Sequence, residues 1–391
     1  MKHSTDQILT THTGSLPRGE PLGSLLIDEE LGKPADRAKI DAATDERVAH
    51  VIKMQSDVGI TVPNDGEQGR VGFQTYMTQR MEGFGGVSQR PYGLDWVKFP
   101  GFNERFFQRL PPRIGKVFGA PQAVAELKYK DTKAINAEIA RLKAQTAKVH
   151  PKMAEQFMNG PSPGIVACTM LNAFYKDYET YLTAIAKQLH IEYKAVVDAG
   201  YVLQIDAPDM AMERTLLFQD KSDAEFVKIL EQHVHAVNVA IEGLPSDRVR
   251  LHVCWGNWEG PHTDDVAMEV ILPTLYQAKV GALGLEFAMA RRQHESAALK
   301  KSKVPSNLII VPGVIDSKSN VVEHPEVVAQ RIEKVVDAVG DRERVIAGVD
   351  CGFGTFVGWE WVTEDVVWAK LKALADGAGI ASKRLWGKKA A

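Results

Sequence analysis

From about residue 200 onward, short runs of consecutive apolar residues alternate with amphipathic stretches whose apolar positions recur at helical spacing. The runs that read as strands are Tyr201–Asp206, Val249–Cys254, Ala282–Glu286, Leu308–Val314 and Val345–Cys351. Between and after them the periodicity predicts helices over Ala224–Glu242, Asp264–Ala278, Ala288–Lys301, Pro325–Val339 and Glu364–Ala375. Upstream, Ile8–Thr13, Ile60–Asn64 and Gly164–Thr169 read as three more strands, and a long helix is predicted over Tyr178–Val197, stopped at Ala199-Gly200. Strands that alternate with helices imply a parallel sheet, and eight of them are the number that closes a (β/α)8 TIM barrel.

Residues 70–160 break this alternation. They hold Gly83-Phe-Gly-Gly86, an aromatic stretch over Tyr92–Phe107, a basic run over Arg109–Lys116 and a charged helix candidate over Asp131–Lys148. The expected organisation is one catalytic barrel over residues 1–391, with 70–160 inserted between its second and third strands as a lid or a homo-oligomer contact.

Composition narrows the class of partner. Lys and Arg number 47 against 50 Asp and Glu, for a formal charge of −3, and no long basic run marks a nucleic-acid or anionic-membrane surface. No stretch approaches the ~18 apolar residues of a membrane span, and Met1–Gln7 lacks the apolar core of a leader. Three cysteines, at 168, 254 and 351, are too few for a disulfide framework in 391 residues. The expectation is a cytoplasmic enzyme with reduced thiols and small-molecule substrates. Gly348-Val-Asp-Cys-Gly-Phe-Gly354 lacks the GxGxxG spacing of a dinucleotide site.

The chemistry gathers at strand ends. His252, Cys254 and Cys351 close two of the strand runs, and Glu286 closes a third. Alone, His252 reads as a hydrogen-bonded core histidine and each cysteine as a small buried hydrophobe. Glu286 is harder to place in a core, because an unpaired buried carboxylate is costly. Together the four offer one imidazole, two thiolates and one carboxylate, a zinc set drawn from separate strands, which suits catalysis better than a structural clip. A thiol with pKa near ~8.5 is deprotonated when it binds Zn2+ and remains nucleophilic. Cys168 reads as core, and His233 and His235 as solvent-facing residues in mid-helix.

His252-X-Cys254, Glu286 and Asp350-Cys351-Gly, together with Thr13-Gly-Ser-Leu-Pro17 and Leu203-Gln-Ile-Asp-Ala-Pro208, resemble the catalytic barrel of cobalamin-independent methionine synthase and its relatives. The likeness extends over roughly residues 8–390 and implies zinc-dependent methyl or alkyl transfer to a thiol, as in methionine biosynthesis. It further implies zinc ligation by His252, Cys254, Glu286 and Cys351, contacts from Glu67 and Asp206 to the amino group of homocysteine, and a contact from Ser15 to its carboxylate.

Three segments depart from that pattern. The tryptophan that stacks on folate is replaced in Thr169-Met-Leu-Asn-Ala173, the proton-donating histidine in Val314-Ile-Asp-Ser-Lys318, and Asp-Glu-Pro reads Asp206-Ala207-Pro208. Phe174 or Tyr175 is the candidate for stacking and Lys318 for proton donation. The metal half is intact and the donor half altered, so the alkyl donor stays open. The alternative is the related epoxyalkane:coenzyme M transferase, whose sulfonate thiol requires cations, with Arg18 and Arg70 as candidates. A non-catalytic zinc-binding barrel is the alternative of another class, and a uroporphyrinogen decarboxylase-type barrel has no use for the ligand set.

Overall fold

Runs of apolar residues without alternation belong to strands covered on both faces, and the computed structural model, which describes residues 1–115, 118–149 and 153–387, bears this out. The chain opens with a short buried strand, β1 (Leu9–Thr10), and later forms an antiparallel hairpin, β2 (Met81–Gly85) with β3 (Gln122–Tyr129). Five strands then follow: β4 (Phe157–Pro161), β5 (Val202–Asp206), β6 (Val249–Val253), β7 (Ala282–Glu286) and β8 (Ile309–Gly313). They form one parallel sheet in chain order, so the fold is mixed α/β. β9 (Ile346–Ala347) pairs in parallel with β1.

Hydrogen bonds continue beyond the five-stranded sheet. Ile310 bridges Val345 and Gly313 bridges Gly348, while Thr11, just past β1, bridges Val62. The carbonyls of Thr61 and Pro63 accept from the amides of Ala154 and Phe157, next to and within β4.

Several expected elements move. Gly164–Thr169 is helical, within Pro163–Thr169, and the strand lies upstream at β4. The physical reason is local: Pro163 takes the first helical position and the Ser162 hydroxyl accepts from the Ile165 amide at 2.9 Å. A helix buried on every side has the same apolar run as a buried strand. Ile60–Asn64 contributes a single bridge instead of a strand. The expected helix over Asp264–Ala278 contracts to Met268–Leu275, and that over Ala288–Lys301 to Ser296–Ser302. The last helix runs on to Trp386. Pro325–Val339 forms as expected, between a proline at its first position and Gly340 at φ 76°.

Within 70–160, the charged helix forms over Lys133–Thr146 and packs against the helices Arg37–Val58 and Tyr178–Asp198. Lys116 and residues 150–152 lie outside the described residues. Glu138 on that helix sits between Arg70 and Arg80, accepting from Arg70 Nη2 at 2.8 Å and from Arg80 Nη2. Burial alone would raise its pKa, but the two guanidiniums hold it down at about 2, against an ordinary 4.5. Its contribution to stability is therefore fully present above pH ~4.5 and lost as pH falls through the folded value. Glu138→Gln leaves two guanidiniums buried together and is expected to lower unfolding free energy by ~3–5 kcal/mol at neutral pH. Thermal unfolding followed by circular dichroism should show the gap from the parent narrowing below pH ~4.

Candidate metal and substrate site

The site lies at the C-terminal ends of the parallel strands. Side chains two apart on a strand point to one side, so the pattern His252-Val253-Cys254 sends imidazole and thiol the same way from the end of β6. Cys351 arrives on the loop after β9. Ligand atoms of His252, Cys254 and Cys351 all lie within 4.8 Å of one another, and all three residues are buried. The Cys351 thiol donates to Cys254 Sγ at 3.7 Å without a disulfide between them, and His252 Nε2 has no hydrogen-bond partner. Burial, helped by the charges of Arg250 and Lys318, lowers the His252 pKa to about 3. The imidazole is thus neutral, the form that ligates metals.

Asp350 fixes the cysteine loop. Its carboxylate accepts from the amides of Phe287, Ala288 and Met289 at 2.9, 2.9 and 2.7 Å, tying the loop after β7 to the one that carries Cys351. Gly313 makes room for it, since a Cβ there would stand 2.6 Å from Asp350 Cα.

Glu286, fully buried at the end of β7, is not in the close trio. Its Oε1 accepts from Lys318 Nζ at 3.0 Å, and its Oε2 has no partner. Burial alone would favour a neutral Lys318, but Glu286, Asp350 and Cys351 hold its proton more tightly than in an ordinary lysine. Lys318 does not line the cavity described below.

Glu67 and Asp206 are buried side by side in effect, each pushed above the usual carboxylate range, chiefly by burial and, for Glu67, also by the Asp206 charge. Asp206 accepts from Asn159 Nδ2 at 2.8 Å and Gln204 Nε2 at 2.7 Å. Asn64 in turn donates to Asn159 Oδ1 at 2.9 Å. Glu67 adopts φ 54°, a left-handed conformation rare outside glycine, and its Oε2 has no hydrogen-bond partner. The strained turn presents an unpaired carboxylate oxygen beside a second carboxylate.

Thr13, Ser15, Glu67, Asp206, His252, Cys254 and Cys351 all line one cavity of about 650 Å³, a volume typical of small-molecule sites. Its walls are aromatic: Phe73, Tyr92, Trp96, Phe107, Phe118, Trp258, Phe356 and Trp359. The sequence flagged the Tyr92–Phe107 stretch but not its partners at 258 and 356–359. Phe174 and Tyr175, expected to stack on a substrate, do not line the cavity: Phe174 faces solvent and Tyr175 stacks on Tyr181.

Arg18 and Arg70 also stay out of the cavity. The Arg18 guanidinium donates to the carbonyls of Gly354 and Arg70, and that of Arg70 to Asn159 O and Glu138. His12 is bound at Nε2 to Gln55. His235 is exposed as expected, but His233 is buried, with Nδ1 2.8 Å from Asp209 Oδ2 and Nε2 2.8 Å from the Tyr178 hydroxyl. Phe226, Leu230 and Val237 bury the same helical face, so the spacing did contain this signal. Cys168 is core, against Tyr178.

Residues 118–374 match the family described as the catalytic domain of cobalamin-independent synthase. A methionine synthase of Thermococcus kodakarensis is 26% identical over 381 residues, covering 96% of this chain and 94% of that protein. A 2-hydroxypropyl-CoM lyase of Xanthobacter autotrophicus is 29% identical over 178 residues, or 39% of this chain and 45% of that one. Among solved structures, a B12-independent methionine synthase from Shewanella sp. W3-18-1, in complex with selenomethionine, superposes with a TM-score of 0.72 at 21% identity, covering 98% of this chain and all of that one.

Proposed function

Because the chain belongs to the family of cobalamin-independent synthase catalytic domains, we propose that it methylates the thiol of homocysteine to form methionine, with zinc held by His252, Cys254 and Cys351. The observation that carries this reading is the close trio of ligand atoms in a cavity floor shared with two buried carboxylates. The donors suit zinc, being an imidazole nitrogen without a partner and two thiols free of any disulfide. Glu286, with one oxygen free, is the candidate fourth ligand. Zinc bound there would supply deprotonation of a coordinated thiol near neutral pH, where a free thiol of pKa ~8.5 is mostly protonated.

The chain's own residues do the rest. Glu67 Oε2 and Asp206 receive the substrate ammonium, which turns two mutually repelling buried carboxylates into a satisfied pair of acceptors. The Ser15 hydroxyl, also in the cavity, donates to the substrate carboxylate. Lys318 grips Glu286 and is a poor acid, so in this reading it positions Glu286 instead of protonating a leaving group.

A closed (β/α)8 barrel over 1–391, with 70–160 inserted between its second and third strands, belongs to the same reading. Its support is the run of backbone contacts from Thr61–Pro63 to β4, through β8 to β9, and back through β1 to Val62. A reducing compartment such as the cytosol suits ligands that must remain thiols. No helix among the described residues is long and apolar enough to cross a membrane.

The CoM lyase relative raises a second reading, with a sulfonate thiol as substrate. Among the described residues lining the cavity, Arg90 is the one arginine or lysine, and its Nη2 is held by both oxygens of Glu213 at 2.6 and 2.7 Å. That favours a thiol with an ammonium group. X-ray absorption on the zinc-loaded protein should gain one Zn–S contribution when homocysteine is added and none with coenzyme M. The reverse pattern would transfer the assignment to the second reading.

A further inference from the structure

We propose that the methyl donor is an onium compound, a sulfonium or quaternary ammonium ion, whose cationic methyl-bearing centre rests against the aromatic wall of the cavity; this rests on the methyl-transfer reading above. Trp96, Trp258, Trp359, Tyr92, Phe107 and Phe118 line the cavity, and the quadrupoles of aromatic rings attract a cation without hydrogen-bonding it. An onium centre has no N–H or O–H to donate, and such a surface asks for none.

Two further observations favour a positive charge over a neutral apolar group. Trp258, which borders the cavity and carries His262 stacked on its ring at 4.7 Å, donates its indole N–H to the buried Asp95 carboxylate at 3.0 Å, which places a negative charge at the ring edge. The Trp96 ring lies 5.0 Å from it, centroid to centroid, at 41°. The one arginine or lysine among the described lining residues, Arg90, is neutralised by Glu213. A cationic ligand therefore meets no unpaired positive charge among them.

The chemistry agrees. A folate nitrogen or an epoxide oxygen leaves with an electron pair that must take a proton. Lys318, at the position of the expected donor, is bound to Glu286 and outside the cavity wall. With an onium donor, the acceptor thiol first releases its proton to solvent. The thiolate electron pair then forms the new S–CH3 bond as the C–S+ or C–N+ bond breaks, and the departing sulfur or nitrogen keeps that pair. The leaving group is a neutral thioether or tertiary amine and requires no acid.

The test compares choline with 3,3-dimethylbutan-1-ol, equal in shape and different in charge, by calorimetry on the full-length zinc-loaded protein. Choline is expected to bind at least ~10-fold more tightly, with Trp258→Ala reducing the preference several-fold and Trp258→Phe, which keeps a ring but loses the N–H to Asp95, retaining only part of it. Equal or tighter binding of the alcohol overturns the proposal, and that comparison needs no variant. In parallel, 13C-methyl trimethylsulfonium and homocysteine should give labelled methionine. If homocysteine enters the zinc shell but label never reaches methionine and choline shows no preference, the donor assignment fails while the thiol-methylation reading stands. If homocysteine does not enter the shell either, both fail.

Discussion

Cys351→Ala is expected to lose essentially all bound zinc and to reduce methionine formation at least ~10³-fold. With three ligand atoms gathered within 4.8 Å, removal of one thiol leaves an imidazole, a single sulfur and the Glu286 carboxylate, which lies outside the close trio and is already gripped by Lys318, a weaker set than the three close protein ligands usual in catalytic zinc sites. The fold should survive, because Asp350, not Cys351, ties the two loops together through three backbone amides. Metal content by plasma mass spectrometry after dialysis, with circular dichroism as the folding control, separates these effects. Cys168→Ala should change neither zinc nor turnover, since that thiol packs against Tyr178 away from the trio. Full zinc and full activity in Cys351→Ala would remove the metal assignment altogether.

Glu67→Gln and Asp206→Asn should each raise the KM for homocysteine by about 10²-fold with zinc retained. Truncating one partner of a buried charge pair typically costs ~2–5 kcal/mol, and both carboxylates are buried in the cavity lining. The double variant should fall well short of the product of the two, because both act on one ammonium. The asymmetry between them is also defined. Asp206 is held by Asn159 and Gln204, whose amides would confront the new amide in Asp206→Asn, whereas Glu67 has a free oxygen and no such neighbours to disturb. Steady-state kinetics with homocysteine varied decides the matter. An unchanged KM with reduced kcat would assign these residues to the reaction step instead of the amino group.

Much of the candidate metal site could be read directly from the chain. His252 and Cys254 are two apart in a run of strand-forming residues, and strand geometry alone puts them on one side. Glu286 and Cys351 end other apolar runs, where a polar residue needs a reason. The cavity wall was far less legible: its aromatics come from 73, 92–107, 118, 258 and 356–359, and no local pattern connects them. The supports of the buried Asp206 carboxylate were hidden for the same reason, as Asn64, Asn159 and Gln204 are unremarkable polar residues until three segments meet.

The segment Gly164–Thr169 shows the limit from the other side. An apolar run buried all round has no periodicity, so Gly164–Thr169 read as a strand until the Ser162 cap and Pro163 made it a helix. The burial of His233 follows from its spacing with Phe226, Leu230 and Val237, whereas its residue type alone points to solvent.

The sequence by itself determined the alternation of buried strands and amphipathic helices, and with it the α/β class and the strand ends near which His252, Cys254, Glu286 and Cys351 stand. These are local consequences of backbone geometry and burial. Only the tertiary structure decided that Glu286 is held by Lys318 outside the close trio, that Arg18 and Arg70 are occupied within the fold, and that distant aromatics form one wall. Those outcomes depend on which side chains a folded chain brings within a few ångströms, and pairing of charges across sequence distance leaves no trace in a local pattern.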